Sequence, residues 1–277
     1  MFGVIIVFLS SFFVEISDSV SKLELKQKQI GLYSLAVVNS LAVTLIFIAI
    51  NIYQREFIFS PASLPIISIR AILEIILTYL ALTAIAKADR STHGFIRILT
   101  MPLLLLVDFS LGYQINSYQL AGIGIIIFSL FLLFSYQGIK KQGAWLSLAT
   151  AVLAVATISL YKYDITHYNS VAAEQTIMHI VILIFLLPMA FFKAKENPFS
   201  FFKQKIFCFQ SLINVIPSFL NSYAYAFAPA SVILSAYRSS AVLWSVVSGK
   251  IYFHEKHLLI KAVCLILLVG GIILLAI

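Results

Sequence analysis

Charge is scarce in this chain. Asp, Glu, Lys and Arg make up 11% of its 277 residues, where an ordinary soluble domain carries about a quarter. With 61% hydrophobic residues and a mean hydropathy of +1.02, a water-soluble globule is excluded. Cysteine is as sparse: Cys208 and Cys264 lack metal-ligand spacing and read as packing residues, so neither a disulfide framework nor a metal site is expected. The apolar N-terminus has no basic n-region and no small-residue cleavage pattern, so its first run is read as a retained helix and not a signal peptide. No His-Glu-x-x-His pattern and no Ser/His spacing names a nucleophile and its base, so no catalytic residue and no cofactor is expected. A ring of like charges and a filter-like Gly-rich loop are missing too, which weighs against a channel.

What is present is length in the apolar runs. Ten of them fall at roughly 2–21, 30–52, 64–86, 92–112, 117–136, 143–163, 171–192, 204–227, 230–249 and 257–276. At 1.5 Å rise per residue, about twenty residues match the roughly 30 Å hydrocarbon core of a bilayer. The sequence therefore predicts an all-α polytopic membrane protein of ten transmembrane helices. Turn chemistry or charge separates them, as in "GYQINS", "QGIKKQG" and "FHEKH". The longest break, around Lys193 to Lys205, is too short to fold alone, and the short loops predict antiparallel neighbours. Prolines inside spans, Pro102, Pro188 and Pro217, are expected to kink them.

Sliding the chain on itself by 142 residues superposes the fifth span on the tenth, with Gln119 on Lys261, Gly122 on Cys264 and Tyr113 on Glu255. The halves, 1–138 and 139–277, then hold five spans each. An odd number of spans inserts the second copy upside down, which predicts two inverted five-helix repeats with a path between them near midplane.

The few charges inside spans are not scattered. In "FFVEISDSVSK", Glu15, Asp18 and Lys22 follow Ser11 at helical spacing and make one polar stripe. Arg70 and Glu74 stand one turn apart on span 3, Arg97 opens span 4 with His93 before it, and Arg238 lies near the middle of span 9. A lone charge at the bilayer centre costs about 2.5–3.5 kcal/mol on insertion scales, so these residues are expected to face the interior, to pair, or to sit in water. Arg70 and Glu74 also fit a self-neutralising i,i+4 pair. Arg238 has no acid within four residues, so its partner must come from another helix or from a ligand. Glu174, one turn into span 7, reads as interfacial, and His179 as a packing residue or a proton relay. Asn214 and Asn221 share a face of span 8, followed by Tyr223, where they fit substrate contact or interhelical hydrogen bonding.

The halves end in a loose common pattern: Glu255, Lys261 and Cys264 before "LVGGIILL" in the second, Tyr113, Gln119 and Gly122 in the first, with Pro102 upstream. In this the chain resembles the EamA-type ten-helix members of the drug/metabolite transporter superfamily. It departs from them at Tyr113, where an acid is usual, at Cys264, where Gly is usual, and in having no second-half equivalent of Pro102. The resemblance implies that helices 1, 3, 4, 6, 8 and 9 line a central cavity and that helices 5 and 10 form a peripheral scaffold, often near a dimer contact. It also implies that Lys22 and Lys162 are the basic residues where the first helix of each repeat meets water.

The net charge of +8 falls between spans, one or two cations at a time, so it predicts cytoplasmic loops and no nucleic-acid partner. Odd-numbered loops carry fourteen Lys and Arg against two, Arg55 and Lys162, for even-numbered ones. That bias makes the odd loops cytoplasmic and puts both termini outside, whereas the resemblance implies termini in the cytoplasm; the charge asymmetry is preferred here. The reading is a secondary transporter in the cell (inner) membrane, monomer or homodimer. It would move a small polar or charged metabolite by alternating access, as an exchanger or coupled to protons. Substrate contacts are expected from Glu15, Asp18, Arg70, Glu74, Arg97, Asn214, Asn221, Tyr223 and Arg238, and proton coupling from Glu15, Glu74 or His179. An intramembrane enzyme and a channel or assembly factor are the alternatives.

Overall fold

The computed structural model describes residues 2–26, 31–55, 57–87, 96–137, 143–253 and 258–277. His93 and Glu255 lie outside these residues, and the side chains of Asp18, Lys22, Cys208 and Lys261 lie outside the described ones. Among the described residues there are ten α-helices and no strand. They are α1 (Phe2–Lys26), α2 (Leu32–Gln54), α3 (Leu64–Lys87), α4 (Thr100–Ser110), α5 (Ser117–Gln137), α6 (Ala144–His167), α7 (Val171–Pro188), α8 (Lys205–Ala224), α9 (Ala230–Phe253) and α10 (Leu258–Ala276).

Local chemistry sets the helix ends. Gly112, at φ +77°, takes the left-handed conformation that stops α4, and Tyr113 N–H closes back on the Asp108 carbonyl at 3.0 Å. Asn116 and Gln119 exchange side-chain and backbone bonds at the start of α5, a capping box that satisfies two otherwise orphaned donors. Ser170 caps α7 by accepting from Ala173 N–H.

Two of the three prolines mark helix irregularities. Pro102 has no N–H for the Ile98 carbonyl, which Met101 N–H takes instead at 3.0 Å, so the turn leading into α4 is tightened. Pro188 ends α7 in a π turn over Met189–Lys193. Pro217 sits inside α8, and its carbonyl accepts from Ser10 Oγ of α1 at 3.0 Å.

Four segments are long and apolar enough to cross a membrane: Leu32–Gln54, Pro61–Ala84, Ala144–His167 and Val171–Lys193. Shorter apolar stretches lie on α1, α4, α5 and α10. Large apolar side chains point outward around the bundle, among them Ile52, Trp145, Ile184 and Ile266.

The helices interleave. Those of residues 1–138 pack chiefly on those of residues 139–277: α1 on α8 and α9, α2 on α7 and α8, α3 on α6 and α7, α4 on α9 and α6, α5 on α10. Exchanging α1–α5 for α6–α10 leaves each of these pairings in place. The largest hydrophobic cluster joins Val7, Met101, Leu104, Ile126, Ile233 and Leu268 from α1, α4, α5, α9 and α10. α5 and α10 approach closely because glycine faces glycine there. A Cβ on Gly122 would lie 2.9 Å from the Gly271 carbonyl oxygen, and one on Gly271 would lie 2.6 Å from Ile126 Cγ1. Farther along the same crossing, Ser129 Oγ donates to the Cys264 carbonyl at 2.9 Å. A shift of 142 residues forward carries Gly122 onto Cys264, and the same shift backward carries Gly271 onto Ser129.

Candidate functional site

One end of the bundle is tied together by polar side chains. Here the C-terminal ends of α4, α6 and α8 meet the N-terminal ends of α3, α7 and α9. Arg70 of α3 is buried and forms an ion pair with Glu174 of α7, which is fully buried. The sequence reading of Glu174 as interfacial is corrected: α7 starts against other helices, so one turn of depth already lies inside protein. The guanidinium of Arg70 also lies 4.7 Å from the centre of the Tyr161 ring, and that tyrosine donates to the Ser222 carbonyl of α8 at 2.8 Å. Glu74, one turn along α3 from Arg70, is an electrostatic neighbour of Arg70 and has Thr157 of α6 beside its carboxylate. Arg70 thus has an in-helix acid and a cross-helix acid, with the direct contact made to the second.

Asn169 extends this network to the surface loop before α3. Its amide donates to both Asp164 oxygens at 3.0 and 2.8 Å and to Ser63 Oγ at 2.9 Å, while its carbonyl accepts from Ser60 N–H at 2.8 Å. Asp164 is fully buried, and Arg70 feels its charge. Leaving such a carboxylate without donors would cost several kcal/mol of desolvation, so the amide is matched to it.

Beside this network, Lys162 of α6 donates to the Tyr225 carbonyl at 2.6 Å, with Asp108 of α4 as its nearest acidic neighbour. It is only 6% exposed, which corrects the expectation that it meets water. Asp108 in turn accepts from Ser231 N–H at 2.7 Å, capping α9 from another helix.

Deeper in the bundle a second arginine has another arginine as its neighbour. Arg97, just ahead of α4, and Arg238, the ninth residue of α9, are electrostatic neighbours, with Tyr225 and Tyr237 beside Arg238. Arg238 forms no ion pair among the described residues, and its Nε is buried without a hydrogen-bond partner. Two like charges 4 Å apart repel by about 4 kcal/mol at an effective dielectric of 20, so even a wider pair is costly in an apolar bundle.

The other predicted residues have the following settings. Glu15 is half-buried on α1, and Asp18 lies outside the described side chains. His179 of α7 stacks on Phe47 of α2 with ring centres 5.9 Å apart, and its Nδ1 is buried without a partner. Tyr223 packs on Phe219 at 4.7 Å, with Gln54 of α2 beside its hydroxyl. The Asn221 side-chain oxygen is buried and unpartnered, and Asn214 is half-buried on α8. The structure thus divides the predicted set: Arg70 with Glu74, Arg97 with Arg238, and His179 and Tyr223 along the α2, α7 and α8 contact.

Sequence reasoning missed Glu174, Tyr161, Asp108 and Asp164 as members of the polar clusters. Asp108 and Asp164 carried a usable signal, since the first is an acid near the end of an apolar run and the second directly follows one, each just before a turn.

No protein-family model matches the sequence and no curated protein does. A crystal structure of a protein 13% identical superposes over 99% of this chain and 98% of its own at a TM-score of 0.75, so the two share a fold from end to end.

Proposed function

We propose that the chain is a multi-pass membrane protein of ten transmembrane helices, built as two inverted five-helix repeats. Its function is secondary active transport of a small polar or charged metabolite by alternating access. The observation that carries this reading is the exchange relation in the packing. The contact of Gly122 with Gly271 has its image, under the 142-residue shift, in the contact of Ser129 with Cys264. A twofold relation between interleaved halves is the architecture in which a central site opens to one side or the other as the halves rock. The outward apolar side chains and the four long apolar segments support placement in a bilayer. The resemblance to EamA-type members of the drug/metabolite transporter superfamily points the same way.

In this reading the polar network around Arg70, Glu174, Tyr161 and Asn169 is the closed end of the path. The Arg70–Glu174 ion pair and hydrogen bonds across four helices seal that end, and they must exchange partners for it to open. Glu74, one turn from Arg70 on α3, is the proton-coupling group. The cation-rich odd loops face the cytoplasm.

Saturable uptake into proteoliposomes of purified protein, measured against leak and hydrolysis controls, tests the carrier itself. A screen of a metabolite library by thermal shift supplies the substrates to use. Glu74→Gln is expected to abolish uptake driven by a pH gradient while leaving exchange, and unaltered pH-driven uptake rejects that assignment. Cysteine placed at Lys26 in a background free of Cys208 and Cys264 is expected to escape an impermeant maleimide in intact cells. Labelling there overturns the orientation.

A further inference from the structure

We infer that the segment joining α7 to α8, residues 189–205, is a docking surface for the anionic headgroups of phospholipids. It rests on the bilayer placement proposed above and not on transport. In "MAFFKAKENPFSFFKQK" five phenylalanines stand among four lysines, and Glu196 is the one acid. Aromatic rings interleaved with lysines suit a segment at the membrane–water boundary, where the rings enter the headgroup layer and the ammonium groups meet phosphates.

The structure sorts these residues into an inward and an outward set. Phe201 and Phe202 pack against Leu35, Val38 and Phe207, which fixes the segment to the bundle. Glu196 is tied inward as well: its carboxylate accepts from Gly31 N–H at 3.0 Å and from Ser34 Oγ at 2.5 Å, at the start of α2. The outward set is apolar and cationic. Phe192 is 82% exposed, and Phe191 and Phe199, also exposed, have ring centres 6.2 Å apart. Lys193 and Lys195 are exposed, the first with its ammonium 5.3 and 4.9 Å from the ring centres of Tyr33 and Tyr79. Depth follows from length. The apolar segment Val171–Lys193 has 23 residues, about 34 Å of helix, so its end reaches the edge of a roughly 30 Å hydrocarbon core. The exposed rings and both lysines then lie at the level of the headgroups. With the acid tied inward, that face fits a headgroup of net negative charge better than a zwitterionic one.

The test uses the full-length protein carrying Cys208→Ser and Cys264→Ala, reconstituted into phosphatidylcholine bilayers. A single cysteine is introduced by Phe192→Cys or, at an exposed position of α10, by Ile266→Cys, and labelled with bimane. Quenching by brominated phosphatidylglycerol is compared with quenching by brominated phosphatidylcholine. Both labels are expected to be quenched. At position 192 alone, phosphatidylglycerol is favoured by about twentyfold at low ionic strength, because each lysine near a headgroup contributes about fivefold. Lys195→Gln is expected to leave about fourfold, and Lys193→Gln with Lys195→Gln no preference. Should the double variant fail to purify, Lys195→Gln decides by the same criteria. The docking surface is overturned if position 192 shows no preference, if position 266 shows the same one, or if the preference survives the double variant. It is overturned too if inorganic phosphate abolishes the preference at matched ionic strength, which marks a site for the free ion. A label unquenched at 192 but quenched at 266 puts the segment in water, so the surface fails and the bilayer placement stands. Quenching at neither position overturns both. The expected preference without saturable uptake keeps the surface and removes the carrier.

Discussion

Arg70 is the seventh residue of α3 and Arg238 the ninth of α9, so each stands about two turns inside an apolar helix. Around Arg70 the chain supplies Glu174 in direct contact, the face of Tyr161, and the charges of Glu74 and Asp164. Around Arg238 it supplies Arg97 and tyrosines. The first arginine has an acid against it and joins α3 to α7, although its Nε, like that of Arg238, is buried without a hydrogen-bond partner. The second has a cation as its first charged neighbour and no ion pair among the described residues.

Removing the acid from the satisfied arginine is the strongest way to break this contrast. Glu174→Leu leaves a buried guanidinium without its counter-ion and is expected to destabilise by about 3–5 kcal/mol, read as a large drop in melting midpoint. The double variant Arg70→Met with Glu174→Leu should recover most of that loss, because two apolar groups replace a pair whose desolvation nearly balances its attraction. Failure to recover would show that Glu174 acts through something other than Arg70. Asn169→Ala comes next, with an expected loss of about 1–3 kcal/mol, since it strips the donor shared by Asp164 and Ser63. A melting midpoint equal to that of the native protein would mean that water replaces the amide.

On the side of Arg238 the effects shrink and then reverse. Asp108→Ala uncaps α9 and removes the acid nearest Lys162, for an expected loss of about 1–2 kcal/mol by the same thermal measurement. Arg238→Gln should leave the midpoint unchanged or raise it, because it removes a buried guanidinium that has no ion pair among the described residues. A drop comparable to that of Glu174→Leu would erase the distinction between the two arginines.

Much of this fold is readable from the chain. Helix boundaries follow turn residues that act locally: Gly112 ends α4, Asn116 starts α5, and Ser170 starts α7, each within a few residues of the apolar runs they delimit. Arg70, Glu74, Arg97 and Arg238 were legible as charges inside apolar runs, but their partners were not. Arg70 and Glu74 advertise a pair by their spacing, whereas the contact with Glu174 spans more than one hundred positions and depends on how α3 meets α7. Glu174 and Lys162 both sit near helix ends, and counting residues from an end gives depth only when that end faces water. Neighbours packed over the ends of α6 and α7 carry them inside.

The interleaving has a consequence for how the molecule comes into being. As the chain leaves the ribosome, its first five helices emerge before the principal neighbour of any of them has been made. They must wait until α6 and α7 arrive to dock on α3, and until then Arg70 lacks its cross-helix acid, Glu174. Severing the polypeptide between 138 and 139 and producing both fragments in one cell should therefore restore assembly, while the N-terminal fragment by itself is left to degradation.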